Sequence, residues 1–119
     1  MLIGELADRT GVSARALRHY EEQELLVPGR DSNSYRRYDE TAVRVVQQIQ
    51  TMVAAGLGTE MIRRYLDCAR TDDYRTTLNM CPDLSAEFDR IAARLDRQQA
   101  AVTATQLRLA TLRTRLPRH

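Results

Sequence analysis

The feature that most restricts this chain is a seam near its C-terminal end. After Pro82, residues fall at Leu84, Phe88, Ile91, Leu95, Gln98, Val102, Thr105, Leu109, Leu112 and Leu116, with spacings that alternate four and three. A strict period of 3.5 residues marks a coiled-coil stripe, narrower than the apolar face of a globular helix. A helix from 83 to 116 would run roughly 50 Å at about 1.5 Å per residue. The preceding residues are too few to cover such a stripe from end to end, so a second copy of the chain is the expected cover. Gln98 and Thr105, polar within the seam, would fix its register. The competing arrangement is one long helix folded back over its own head.

What precedes the seam is cut into helix-sized pieces by Gly11, Pro28-Gly29, Gly56, Gly58 and Pro82. A first helix is expected over 3–9. Ser13 is placed to cap a second, running to about Glu22. Residues 25–38 lack a helical period and hold the turn formers Pro28-Gly29 and Asp31-Ser32-Asn33-Ser34, which reads as a small hairpin. Asp39 can cap a third helix with Ala42, Val45, Val46, Ile49 and Val53 inward. Thr59 can cap a fourth, with Ile62, Leu66 and Ala69 inward. The expected fold is mainly α: a winged helix-turn-helix head and a long C-terminal dimerisation helix in an antiparallel coiled coil. The expected division is 1–75 for the head and 76–119 for a linker and the coiled-coil helix.

Residues 3–22 carry the candidate function. A helix-turn-helix wants a small residue in its first helix, a glycine in the turn four residues on, and buried apolar groups around both. Ala7, Gly11 and the set Leu6, Val12, Leu17 and Tyr20 meet this. Arg15 and Arg18 then share the outer face of the second helix, where two guanidinium groups can reach a major groove. Tyr35, Arg36, Arg37 and Tyr38 interleave aromatic and basic groups beside the hairpin turn, as a wing that follows phosphates would. The alternatives are a plain helical hairpin with a solvated arginine face, and an edge ribbon resting its tyrosines on the first helix. Tyr38 is expected to pack there and Tyr35 to stay outside.

All 18 basic residues are arginine, against 16 acids, for a formal net charge of +2. That excess is too small to identify a nucleic-acid binder, so distribution matters more: 9–38 hold six arginines against four acids. The lack of lysine also follows from GC-rich codon usage. No apolar run can cross a membrane and no secretory signal opens the chain, so the cytoplasm is the expected compartment. Two cysteines cannot build a disulfide framework. With two histidines and no nucleophile, paired-carboxylate or phosphate-loop arrangement, an enzyme is not expected.

Taken together, Ile3-Gly4-Glu5-Leu6-Ala7, Thr10-Gly11-Val12-Ser13, Ala16-Leu17-Arg18-His19-Tyr20-Glu21-Glu22, Leu25-Leu26 and Tyr35-Arg36-Arg37-Tyr38 resemble the MerR family of bacterial transcriptional regulators over residues 1 to about 70. The resemblance implies a homodimer on double-stranded promoter DNA with a pseudo-palindromic operator. It also implies bending and untwisting of an over-long promoter spacer, so that RNA polymerase is served indirectly, through DNA shape. It assigns DNA contacts to Arg15, Arg18, His19 and Tyr20 on the recognition helix and to Arg30, Tyr35, Arg36 and Arg37 in the wing. Leu84, Phe88, Ile91, Leu95, Val102, Leu109, Leu112 and Leu116 would form the dimer seam.

Three positions depart from the family pattern. His19 stands in place of a second aromatic residue, and Glu24 and Ser34 replace glycines, which puts a side chain where a positive φ is expected. Family metal sensors carry a two-cysteine loop after the dimer helix, whereas this chain ends Leu116-Pro117-Arg118-His119, and the iron–sulfur type needs four cysteines. No cofactor is expected, and the effector is left open. Cys81, at the start of the dimer helix, is a candidate metal ligand or redox thiol, with His119 of the other chain as a second ligand, although tight zinc sites usually take four. Cys68 reads as a small buried group. A coiled-coil adaptor for other proteins is the alternative from a different functional class.

Overall fold

The structure, a computed structural model, describes residues 1–113. It divides into two compact units, Met1–Met80 and a second that begins at Cys81. Leu116 and His119 lie outside the described residues.

In the first unit, α1 (Ile3–Thr10) turns through Gly11 into α2 (Ala14–Glu22). Gly11 has φ +74° and its N–H bonds the Ala7 carbonyl, a left-handed helix end that glycine adopts without Cβ crowding. Ser13 caps α2: its hydroxyl accepts the Ala16 N–H at 3.1 Å. A two-residue ribbon follows, β1 (Gly29–Arg30) paired antiparallel with β2 (Arg36–Arg37). Asp39 caps α3 (Glu40–Ala54), accepting from the Ala42 N–H at 3.2 Å. Leu6, Val12, Leu17, Leu26, Tyr38, Ala42, Val43 and Val46 form one buried cluster. Its small size follows from its task, which is to fix α2 and the ribbon on a common base.

Two expectations about α3 and α4 need correction. Val53 is 51% exposed, while Val43 and Met52 are buried in its place. Both belong to a stripe at helical spacing with Ile49, so the apolar face is rotated from the one that Val53 would define. Thr59 is the first residue of α4 (Thr59–Tyr65), and Gly58 occupies the cap position with no side chain to offer. Within α4, Ile62 and Tyr65 are buried.

A short 3₁₀ turn (Leu66–Cys68) leads into a second hairpin, β3 (Ala69–Asp72) against β4 (Arg75–Leu78). Ala69 therefore starts a strand and does not extend α4. The turn residues Asp73 and Tyr74 both have positive φ, 49° and 64°, as a two-residue hairpin of the primed kind requires. Gln48, a buried polar residue of α3, donates through Nε2 to the Thr71 hydroxyl at 3.1 Å, and Thr71 pairs with Thr76 at 3.0 Å. These bonds tie the hairpin to α3.

The second unit is α5 (Pro82–Leu112), with Cys81 at its cap position and Pro82 in the first turn. Proline suits that place because its missing N–H has no intrahelical partner there. At 31 residues α5 extends about 46 Å.

Candidate nucleic-acid interface

The capped start of α2 sets which of its residues face outward. Leu17 is fully buried and Tyr20 rests partly buried against the core, so Arg15, Arg18 and His19 are left exposed on the other side. The guanidinium groups of Arg15 and Arg18 make no hydrogen bond or ion pair with the described residues.

The ribbon is built around Asp31. Its Oδ1 accepts the N–H groups of Asn33 (2.9 Å) and Tyr35 (3.0 Å), and its Oδ2 accepts from Arg37 Nε at 3.0 Å. The bond from Arg37, followed by those backbone donors, holds the Asp31 carboxyl below the usual carboxylate range. Ser34 closes the loop at φ 65°, and its carbonyl accepts from Arg30 Nη1 at 3.0 Å. Arg30 and Arg37 are thus both used inside the wing. Tyr35 stands clear of it at 65% exposure.

Tyr38, by contrast, is 4% exposed and belongs to the core. Its N–H bonds the Met1 carbonyl at 2.8 Å, and its hydroxyl donates to Glu21 at the end of α2. Burial first, and then this carboxylate, push the phenol up to about 12. The other oxygen of Glu21 pairs with Arg36 Nε at 3.3 Å. The two tyrosines of the wing thus divide as expected, one inside and one outside. The sequence carries no local signal of this role for Glu21, because its partners lie 15 and 17 residues away.

Helix α2 and the ribbon meet in one shallow cleft of about 310 Å³. Arg18 forms one wall, Arg30, Ser34, Tyr35 and Arg36 form another, and Leu2 and Ile3 lie at its edge. The turn at Glu24, with φ 62°, carries the chain from α2 toward the wing, so both non-glycine replacements keep the left-handed conformation.

The chain matches the MerR HTH family regulatory protein model over residues 1–68. It belongs to the MerR family. It is 32% identical over 127 aligned residues to the nodulation protein NolA of Bradyrhizobium diazoefficiens, covering 87% of this chain and 54% of that protein. The chain spans between 28% and 54% of the length of the NolA proteins it matches. Among solved structures, the transcription regulator PbrR691 of Ralstonia metallidurans CH34, determined in complex with lead(II), superposes with a TM-score of 0.74 at 25% identity. That match covers 100% of this chain and 90% of PbrR691. HiNmlR, a MerR family regulator lacking the sensor domain and bound to promoter DNA, shares the fold with a TM-score of 0.53 at 22% identity, over 95% of this chain and 75% of that one.

On α5, Leu84 is fully buried within the single chain, and Phe88 and Ile91 are half-buried. The rest of the described seam is exposed, with Leu95 at 48%, Val102 at 57% and Leu109 at 63%. Leu84 therefore has no surface left for another chain to cover. Cys81 is exposed and Cys68 partly buried. Among the described residues there is no group of three or more His, Cys, Asp or Glu that could hold a metal ion. None of their helices is long and apolar enough to cross a membrane.

Proposed function

We propose that this MerR-family chain is a sequence-specific DNA-binding transcriptional regulator that acts as a homodimer. The observation that carries the reading is the single cleft shared by Arg18 of α2 and by Arg30, Tyr35 and Arg36 of the wing. Arg15 and Arg18, exposed on one helix face and without a bond to the described residues, suit base edges in a major groove. Tyr35 and Arg36 suit phosphates beside it, where contacts fix register more than sequence. The seam from Phe88 onward pairs with a second copy, setting two heads at a fixed separation on a pseudo-palindromic promoter. Duplex distortion, bending and untwisting of an over-long spacer, is then the output that RNA polymerase reads. The promoter-DNA complex formed by the related fold of HiNmlR is consistent with this geometry. In this reading the chain performs no covalent chemistry and works where the chromosome is.

The test separates the two kinds of contact. On the DNA upstream of its own gene, Arg15→Ala is expected to cost about 1–3 kcal/mol and to relax preference at one base position. Arg36→Ala weakens all duplexes alike and lowers the slope of log affinity against log salt by about one. Equal losses for Arg15→Ala on specific and random DNA remove its base-reading role. Footprinting of the same region gives the promoter spacing directly.

A further inference from the structure

Glu21 stands in the last turn of α2, and its side chain is only 12% exposed. Its two carboxylate oxygens do different things. Oε1 accepts the hydroxyl of Tyr38, a core residue at the base of the wing, while Oε2 lies 3.3 Å from the Nε of Arg36 at the wing surface. A carboxylate held this way cannot swing into solvent without giving up the tyrosine bond. The carboxylate approaches Arg36 nearest at its Nε as an ion pair without completing a hydrogen bond, and no guanidinium donor of Arg36 makes a hydrogen bond with the described residues. Arg36 remains 56% exposed, and it lines the same small hollow as Arg18, Glu21 and Glu22.

We propose that Glu21 is a positioning residue of the wing: its carboxylate, anchored by Tyr38, attracts the guanidinium of Arg36 from the Nε side and so presents the Nη edge to a DNA phosphate. This rests on the reading of the cleft as a DNA interface. An unheld arginine loses rotamer freedom when it binds, and that loss weakens its contact. A buttressed guanidinium has lost much of that freedom beforehand, while its fork keeps the donors that match a phosphate. The same carboxylate could act in the opposite sense, as a competitor that keeps Arg36 from DNA. The Nε contact argues for support, because a competitor would be expected to occupy the Nη donors. The two roles predict opposite signs.

The experiment is a double-mutant cycle on the full chain, using a duplex enriched by the wild-type chain from a randomised library. Glu21→Gln keeps the shape of the side chain and still accepts the Tyr38 hydroxyl. It is expected to weaken binding about three-fold when Arg36 is present, the scale of a partly exposed ion pair. In an Arg36→Ala background it costs little or nothing, because a residue that acts through Arg36 has nothing left to position. A general structural role would produce the same loss in both backgrounds. On the free chain, the neighbouring carboxylate displaces the Nε resonance of Arg36 from that of a solvated arginine in the wild type, and the resonance moves to the solvated position in Glu21→Gln. If glutamine fails to fold, Glu21→Asp, which keeps the charge and withdraws it by one methylene, carries the same cycle. Equal losses in both backgrounds, tighter binding by Glu21→Gln, or an unmoved Arg36 resonance overturns the proposal while leaving the DNA reading intact. A wild-type chain that enriches no duplex overturns the DNA reading and the proposal with it.

Discussion

At Glu24 and Ser34 the backbone takes a conformation that costs a residue with a Cβ about 1 kcal/mol or more relative to glycine. Glycine at either site relieves that strain but enlarges the unfolded ensemble, so only part of the gain survives. Glu24→Gly and Ser34→Gly are each expected to raise stability by about 0.5 kcal/mol in urea unfolding, and Glu24→Val to lower it. A loss on Glu24→Gly shows that the glutamate side chain contributes more than its backbone costs. Tyr38 gives a second prediction. Its phenol keeps its proton to about 12 in the folded protein, against an ordinary value of 10. Above 10 the unfolded chain therefore binds fewer protons than the folded one, and stability falls as pH rises between these values. Phenolate absorbance is expected to show one late-titrating tyrosine, which Tyr38→Phe removes together with much of the alkaline loss. At the acid end the sign reverses. Arg37 holds Asp31, and Arg9 holds Glu40, below the usual carboxylate range. Their contribution is present above the ordinary carboxylate pKa and fades as pH falls through the depressed values.

Among the elements, the hairpin β3–β4 separates what periodicity reveals from what it hides. Thr71, Thr76 and Thr77 are residues that strands favour, yet the turn between them is Asp73-Tyr74, without the glycine that announces such a hairpin. Its anchor is the chain of hydroxyl and amide bonds from Gln48 through Thr71 to Thr76. Thr71→Val keeps the shape and strand propensity but leaves the buried Gln48 amide without that acceptor. The expected cost is about 1–3 kcal/mol in thermal or urea unfolding. The double variant Gln48→Leu with Thr71→Val is expected to recover most of it, since the buried amide left without an acceptor is then gone and only the Thr76 hydroxyl has lost a partner. The helices were easier to read because their ends carry local chemistry. Ser13 and Asp39 bond backbone N–H groups three residues ahead, which sequence distance alone makes visible. Thr59 misled for the same reason: a residue able to cap sits beside Gly58, whose extended backbone takes the cap position instead.

For the whole molecule, the decisive feature is a long helix with an apolar stripe that its own chain leaves bare at Leu95, Val102 and Leu109. Val102→Asp places a charge at the middle of this stripe. In the proposed homodimer it is expected to leave monomers in sedimentation at working concentration and to reduce operator affinity at least ten-fold, because one head then binds without the other. A variant that remains dimeric rules out this stripe as the interface.

The order of helices, the turn at Gly11, the caps at Ser13 and Asp39, the long C-terminal helix and the family were all legible in the chain itself, because each depends on residues within a few positions of one another or on a regular period. The left-handed backbone at Glu24 and Ser34 could be anticipated from the same local logic. Other features depend on atoms brought together from distant positions, and only the folded structure could supply them. It pinned Arg37 to Asp31, left Arg15 and Arg18 without a bond to the described residues, and brought the Glu21 carboxylate against Arg36 and Tyr38. A side chain's partner is chosen by packing in three dimensions, and no spacing along a sequence records which of several arginines will find the one carboxylate within reach.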